Sequence, residues 1–278
     1  MLNKKQVVVI GAVVILMAGL LSLDIKGLVK PEEKAGNSNA QTAAAPAVTL
    51  ESVSLSARQE LNANLANQVA ELEKSLKNAS GAEKLALQKK LAQSWDDVNK
   101  TAPAGFYYEL IASEENNYQN WLKAGDRFTE AYQNTQDTLI QPALVQKAMS
   151  AYQNALKLDE KSLDAKTGLG VAIVNGSNPM EGIQLLLAVV KEDPNNLKAN
   201  LNLGLFSMKS GQFDKAVSRF KTVIAQKPEP EAWFYLASSY ENIGMKEEAA
   251  MAYLKCKELA ADPSLGQFID RKIKELRQ

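Results

Sequence analysis

Few residues in this sequence have the types and spacing that catalysis requires. Gly168 and Gly170 resemble part of a glycine-rich loop that binds a dinucleotide, but the third glycine is missing from its position and no predicted strand precedes them. Ser218 and Lys221 match the Ser-x-x-Lys spacing of a nucleophile and its base, but they lie in a predicted helix without the companion motifs. We interpret both as chance matches.

The sequence also lacks the residues on which most active sites depend. Its 278 residues include no histidine and one cysteine, Cys256. Without histidine, the commonest general base and the commonest zinc ligand are both missing. A single cysteine excludes an internal disulfide, and Cys256 stands where a small buried residue is expected. The sequence therefore predicts a protein that is not an enzyme and that uses no metal or other cofactor.

Charge and composition indicate the class of the protein. Lys+Arg and Asp+Glu are equal at 32 each, and aromatic residues make up 6%. A net charge of zero, with basic residues dispersed along the chain, argues against a nucleic-acid partner. The dominance of Ala, Leu, Lys, Glu, Gln and Asn favours an all-α fold.

The N-terminal segment predicts a membrane anchor. Residues 7–23 read VVVIGAVVILMAGLLSL and contain no charged side chain. This length is at the lower limit for a helix that crosses a bilayer, and no small-x-small cleavage site follows. We expect residues 1–29 to be a short tail with an uncleaved single-pass span. Lysines flank the span on both sides, so their count does not decide its orientation. A short tail before a large domain favours the bacterial inner membrane, with the domain in the periplasm.

Residues 30–50 and 51–117 differ in pattern. Residues 30–50 are rich in Ala, Pro, Gly and small polar residues, which predicts a flexible linker. Within residues 51–117, two apolar stripes have helical spacing, namely Leu61, Leu65, Val69, Leu72 and Leu76, then Leu87, Leu91, Trp95 and Val98. Ser80 and Glu83 have the spacing of a capping box between them. The segment predicts an antiparallel helical hairpin, with a dimerising coiled coil as the alternative.

From residue 118 the chain repeats with a period near 34 residues. The third copy carries the pattern Asn200, Leu203, Gly204, Gly211, Ala216, Phe220, Val223 and Pro228. The second has Lys166, Leu169, Gly170, Ser177, Gly182, Leu186, Val189 and Pro194, and the fourth has Trp233, Leu236, Ala237, Gly244, Ala249, Tyr253 and Cys256. This pattern resembles the tetratricopeptide repeat (TPR) family, whose members are helix-turn-helix solenoids. The resemblance covers residues 118–263.

The small residues of the pattern have physical reasons. Gly204 and Ala216 are small where the two helices of one repeat must approach closely, and Gly211 suits a turn that needs a positive φ. Phe220 is the large residue expected to fill the next interface. The first copy, which begins at Trp121, carries eleven extra residues before Ala148. Either both of its helices are longer, or a loop bulges around residues 134–140.

Residues 264–278 complete the predicted solenoid. Their apolar residues lie on one side of a helix and their basic residues on the other. A helix of this kind covers the exposed end of a solenoid, so we expect a C-terminal capping helix.

The resemblance also implies a binding groove. In TPR proteins the first helix of each repeat lines a concave face that receives segments of other proteins. The register places these residues there: Asp164, Thr167, Val171, Asn175, Leu201, Leu205, Met208, Phe234, Ser238, Glu241 and Asn242. The paired Lys/Asn and Lys/Arg with which some members hold a C-terminal carboxylate are replaced, so no such clamp is expected. An apolar centre suits an amphipathic helix or an extended hydrophobic segment. Alternatively, some of these side chains pack between adjacent helices.

Together these features predict a membrane-anchored adaptor that binds other proteins in envelope assembly or secretion. An oligomerising structural protein, self-associating through residues 53–100, is one alternative. A chaperone-like holder of exported proteins is another.

Overall fold

A computed structural model describes residues 48–278, which form thirteen α-helices and, within that range, no strand. The helices are α1 (Leu50–Gln59), α2 (Ala63–Asn78), α3 (Gly81–Asp97), α4 (Thr101–Glu115), α5 (Tyr118–Asn134), α6 (Gln141–Leu158), α7 (Leu163–Val174), α8 (Pro179–Glu192), α9 (Leu197–Lys209), α10 (Phe213–Gln226), α11 (Pro230–Asn242), α12 (Lys246–Ala260) and α13 (Pro263–Leu276). The predicted all-α class is confirmed for this range. None of these thirteen helices is long and apolar enough to cross a membrane. The predicted span, residues 7–23, lies outside the described residues, as does most of the predicted linker.

The segment before the repeats contains four helices, where the sequence predicts two. The predicted pair corresponds to α2 and α3, which contact each other, while α1 packs on α4. The helix α4 shows no single apolar stripe because it is buried on most sides, including the run Pro103–Tyr108. Pro103 lies in its first turn, where a missing N–H costs nothing. The side chains Trp95, Tyr107 and Ile111 fill the core between α3 and α4.

The predicted capping box at Ser80 and Glu83 is wrong. Ser80 is the residue before α3, but its side chain makes no capping hydrogen bond. A capping box is present instead at the start of α1, where the Thr49 and Ser52 side chains each accept from the other residue's backbone N–H. Leu50, assigned to the linker from the sequence, is therefore the first residue of a helix.

The next eight helices form four antiparallel pairs, α5/α6, α7/α8, α9/α10 and α11/α12, and α13 packs on α12. The first helices of successive pairs also contact one another: α5 contacts α7, α7 contacts α9, and α9 contacts α11. Within the described residues, no contact of similar extent joins successive second helices. The first helices α5, α7, α9 and α11 therefore line the inner side of the solenoid, and the second helices line the outer side.

The extra residues of the first pair are divided between its helices and its loop. Its helices have 17 and 18 residues, compared with 13 and 14 in the third pair. The loop at residues 135–140 is also longer than the turn at residues 210–212. Both alternatives left open by the sequence thus contribute. Pro142 lies in the first turn of α6, where a missing N–H costs nothing.

Close packing within each pair follows the repeat pattern. A Cβ on Gly204 would lie 2.6 Å from the ring of Phe220, and a Cβ on Gly182 would lie 2.5 Å from the carbonyl oxygen of Gly170. Gly211 has a φ of +74°, which confirms its predicted turn conformation. Phe220 is buried and also stacks on Tyr235 of the next pair, with ring centroids 5.5 Å apart. Cys256 is buried, as predicted.

The buried side chains divide into three clusters along the solenoid. One cluster runs from α1 to α7, and another from α10 to α13. A small cluster of six buried residues joins α7 and α8 to α9. The contact between α8 and α9 is less extensive than the equivalent contacts of α6 with α7 and of α10 with α11. The solenoid is therefore least tightly packed between its second and third pairs.

Candidate protein-binding groove

Three apolar side chains of α9 form the centre of the inner side. Leu201, Leu205 and Met208 follow at intervals of four and three residues, which places them on one face of the helix. Each is half-buried, because one side packs against the C-terminal core cluster while the other remains accessible. This row is the apolar part of the predicted groove.

The row continues onto α11 through Phe234, which is also half-buried. Its ring lies 5.7 Å from that of Tyr253 and 6.1 Å from that of Phe268 on α13, measured between centroids. Edge-to-face and tilted aromatic contacts of this kind hold a ring in one orientation. The accessible side of Phe234 is therefore a rigid apolar surface.

The polar residues predicted on α11 are engaged mainly within the fold. Glu241 accepts hydrogen bonds from Lys272 Nζ at 2.8 Å and from Tyr253 Oη at 2.9 Å. The hydrogen bond to Glu241 raises the pKa of Lys272, and burial is the main cause that raises the pKa of Tyr253. Glu241 thus connects α11 to both α12 and α13 through hydrogen bonds. Asn242 is exposed and donates to the Ser238 carbonyl oxygen at 2.8 Å.

The residues predicted on α7 differ sharply in their exposure. Thr167 is 2% exposed and Val171 is 3% exposed. The Thr167 hydroxyl donates to the Leu163 carbonyl oxygen at 2.7 Å, so its hydrogen-bonding capacity is used within the helix. Both side chains belong to the core between helices, which was the alternative interpretation, and they leave no surface for a partner. Asp164 and Asn175 are exposed.

A further cavity beside Phe234 was missed from the sequence. It has a volume of about 610 Å³, and its walls include Tyr235, Glu231 and Leu265. Tyr235 Oη donates to Glu231 Oε1 at 2.8 Å, and the pKa of Tyr235 is raised to about 12, chiefly by burial. The four-residue spacing of Glu231 and Tyr235 on α11 was the signal that could have indicated this pair.

The comparison of this sequence with protein families identifies the repeats. The tetratricopeptide repeat profile matches residues 177–240, and a second profile of the same repeat matches residues 230–263. These matches cover α8 to α12, the part of the chain that carries the apolar row. Residues 177–263 therefore consist of tetratricopeptide repeats.

The comparison with solved structures finds MamA proteins and YrrB among the similar chains. A MamA structure is 21% identical, with 64% of this chain and 92% of that chain covered and a TM-score of 0.47. A double mutant of MamA RS-1 is 19% identical, with 66% of this chain and 97% of that chain covered and a TM-score of 0.48. YrrB, described as a TPR protein with an unusual peptide-binding site, is 18% identical. The match covers 72% of this chain and 97% of that chain, with a TM-score of 0.45. A search of curated proteins finds no match.

The TPR register also identifies a charged residue that the sequence analysis missed. Asp126 on α5 occupies the position that Val171, Leu205 and Ser238 take in the later repeats. It accepts a hydrogen bond from Tyr152 Oη at 2.9 Å. Burial is the largest influence on Asp126 and raises the pKa of its carboxyl group. Its position directly after Gly125, the counterpart of Gly170 and Gly204, was the signal that could have indicated it.

The inner side of the TPR solenoid therefore changes character along its length. Asp126, Asp164 and Lys198 belong to its first three repeats, and both Asp164 and Lys198 are near enough to act electrostatically on Asp126. The apolar row of Leu201, Leu205, Met208 and Phe234 follows. Within residues 48–278, no three side chains of the metal-binding types are grouped closely enough to hold an ion.

Proposed function

We propose that this protein is a membrane-anchored adaptor that binds a segment of another protein along α9 and α11. The TPR repeats support a role in protein–protein interaction in general. The apolar row carries the more specific proposal, because four half-buried apolar side chains on two adjacent inner helices provide a continuous surface. The best ligand is an amphipathic helix or an extended hydrophobic segment.

The ligand is expected to have a charged end as well as an apolar part. Lys198 lies on α9 one helical turn before Leu201, and Asp164 lies at the matching position of α7. Charged groups beside an apolar groove fix the direction and register of a bound segment more than they add affinity. The charged residues of α5 and α7 support a fixed orientation in which the apolar part of the ligand lies on α9 and α11.

The apolar run at residues 7–23 supports the anchoring part of the proposal. Its length permits a helix that spans a bilayer. Holding the solenoid at a membrane raises its effective concentration for partners in the same membrane. We place the anchor in a bacterial inner membrane and the solenoid in the periplasm, where envelope assembly or secretion would supply the partners. A C-terminal reporter that is active only outside the cytoplasm tests this orientation, and activity of a cytoplasm-only reporter would contradict it.

Photocrosslinking in intact membranes tests the groove. Benzoylphenylalanine at Met208 lies on the proposed surface, whereas the same residue at the exposed Leu158 lies on the outer helix α6. We expect ultraviolet light to produce a discrete crosslinked protein with the Met208 variant and not with the Leu158 variant. The replacement Leu205→Glu in the Met208 variant should abolish that product while the circular dichroism remains that of a folded helical protein. Equal labelling at both positions would contradict a binding site on the inner side.

A further inference from the structure

An apolar groove opens on the outer side of the solenoid where α8, α9 and α10 meet. It has a volume of about 660 Å³, and Met180, Ile183, Leu187, Leu203 and Phe206 provide its apolar walls. The groove lies where the packing of α8 on α9 is less extensive than at the equivalent junctions. Its volume is typical of a site that encloses several side chains.

One rim of this outer groove is basic. Lys209, Lys215 and Arg219 line it, and no carboxylate of the described residues does. Arg219 donates to the Asn200 side-chain oxygen at 3.0 Å, and Lys215 to the Gln212 side-chain oxygen at 2.6 Å, so neutral partners orient both cations. The groove therefore favours an occupant with apolar side chains next to a carboxylate.

The outer face of α12 has this chemistry. Glu247, Met251, Leu254 and Glu258 follow at intervals of four, three and four residues, and all four are exposed. Lys255 also lies on this side, but its Nζ pairs with Glu258 Oε2 at 2.7 Å. The negative charge of the face is therefore concentrated at Glu247, one turn from Met251.

The apolar residues at the two places are unusually accessible. Met180 is 70% exposed and Met251 is 60% exposed, the two highest values for large apolar side chains within the helices of residues 48–278. Methionine side chains adapt to irregular surfaces and are common where proteins dock. A chain with a formal net charge of zero also has little overall repulsion between copies.

We propose that the outer groove at α8, α9 and α10 binds α12 of a second copy of this chain. Met251 and Leu254 enter the groove beside Met180 and Leu187, and Glu247 lies against Lys215. The two surfaces are different parts of the chain, so the contact is head-to-tail and each added copy again offers a free groove and a free α12. The groove is lined largely by the second helices α8 and α10, and α12 is also a second helix, so the assembly leaves the inner groove open. The result is an array of adaptors that can bind several partners at once.

Disulfide trapping between differently tagged copies of the full chain tests this arrangement. Copies with Met180→Cys are mixed with copies with Met251→Cys in mild detergent. Cys256 is buried and is expected not to react. We expect the mixture to form a disulfide-linked dimer several-fold faster than either variant alone, and faster than a mixture of Met180→Cys with the exposed control Gln119→Cys. Equal rates in all mixtures, or a product that contains only a foreign protein, would overturn the proposal.

Charge reversal provides a second measurement on exposed residues that do not affect the core. Lys215→Glu or Glu247→Lys alone should slow trapping and weaken self-association about fivefold, as measured by sedimentation at several protein concentrations. Combining both reversals in each copy should restore the trapping rate and the self-association. Two single reversals without effect, or a double reversal no better than the singles, would overturn the pairing of Glu247 with Lys215.

Discussion

The ring of Tyr152 on α6 lies directly over Gly168 on α7, so that a Cβ at Gly168 would collide with the ring. The same ring is close to Gly125 on α5, where a Cβ would come within 2.6 Å. One aromatic ring thus packs against glycines of two successive pairs. This contact accounts for Gly168, which the repeat pattern alone does not explain.

The replacement Gly168→Ala should destabilise the protein by about 1–3 kcal/mol, because a buried ring must move to admit the methyl group. The free energy of unfolding from urea titration measures the effect. Gly176→Ala is the matched control, since its Cβ would meet no atom closer than 3.4 Å. A loss at Gly176 equal to that at Gly168 would contradict the steric explanation.

Gly211→Val should cost about 1–2 kcal/mol for a different reason. No atom lies within 4 Å of a Cβ at Gly211, so the cost comes from its φ of +74° and not from packing. Gly211→Asn should cost less, because asparagine tolerates this conformation better than β-branched residues do. Thermal unfolding of the two variants compares them, and an equal loss of stability would show that the backbone conformation is not the cause.

Asp126 should make stability depend on pH in the direction opposite to a typical surface carboxylate. Burial is the main cause that raises its pKa above the ordinary value of 3.8; Asp164 acts in the same direction, and Lys198 and Arg127 oppose it. The folded state therefore favours the protonated form. This contribution is present below the unfolded pKa and is lost as the pH rises through the folded pKa.

Asp126→Asn should remove that contribution, since an amide cannot ionise and its oxygen can still accept from Tyr152 Oη. The free energy of unfolding is measured at pH 4 and at pH 7 for both proteins. On going from pH 4 to pH 7, the variant should gain more stability, or lose less, than the original protein. Asp214→Asn, at an exposed position of α10, should show no such gain. An Asp126→Asn variant with the pH dependence of the original protein would contradict the assignment.

Ile269→Ala should destabilise the C-terminal end of the solenoid by about 2–5 kcal/mol. Ile269 on α13 is fully buried in the C-terminal core cluster, whereas Leu259 on α12 is 45% exposed. Leu259→Ala should therefore have a much smaller effect. Hydrogen exchange would locate the loss, with faster exchange expected in α11 to α13. Equal destabilisation by the two replacements would argue against α13 as a structural cap.

The repeat part of this fold was predictable because its signals are local. Gly211 marks a turn by its own backbone conformation, and Gly204 and Phe220 identify a close helix pair by their spacing. The helix α4 was not predictable in this way, because Pro103 to Tyr108 are buried on several sides and leave no periodic stripe. Ser80 shows a related limit, since a matching residue type does not guarantee the capping hydrogen bond.

The groove was less predictable than the fold. The repeat register correctly identifies which residues belong to the first helices, but not how far each side chain is covered by its neighbours. Leu205 and Val171 occupy equivalent positions, yet Leu205 is half-buried and Val171 is buried. The difference depends on contacts between pairs that are distant in sequence. The role of Glu241 likewise depends on Lys272, which lies on another helix.

The narrow contact between α8 and α9 has a consequence for how this solenoid comes apart. In a linear stack each unit is stabilised only by its neighbours, so separation begins at the weakest junction. Residues 48–192 and 197–278 should then melt as two cooperative blocks. Leu201, Leu205, Met208 and Phe234 all belong to the second block. A bound partner would therefore raise the melting temperature of the second block more than that of the first, and occupancy of the groove could be measured as a change in the interval between two transitions.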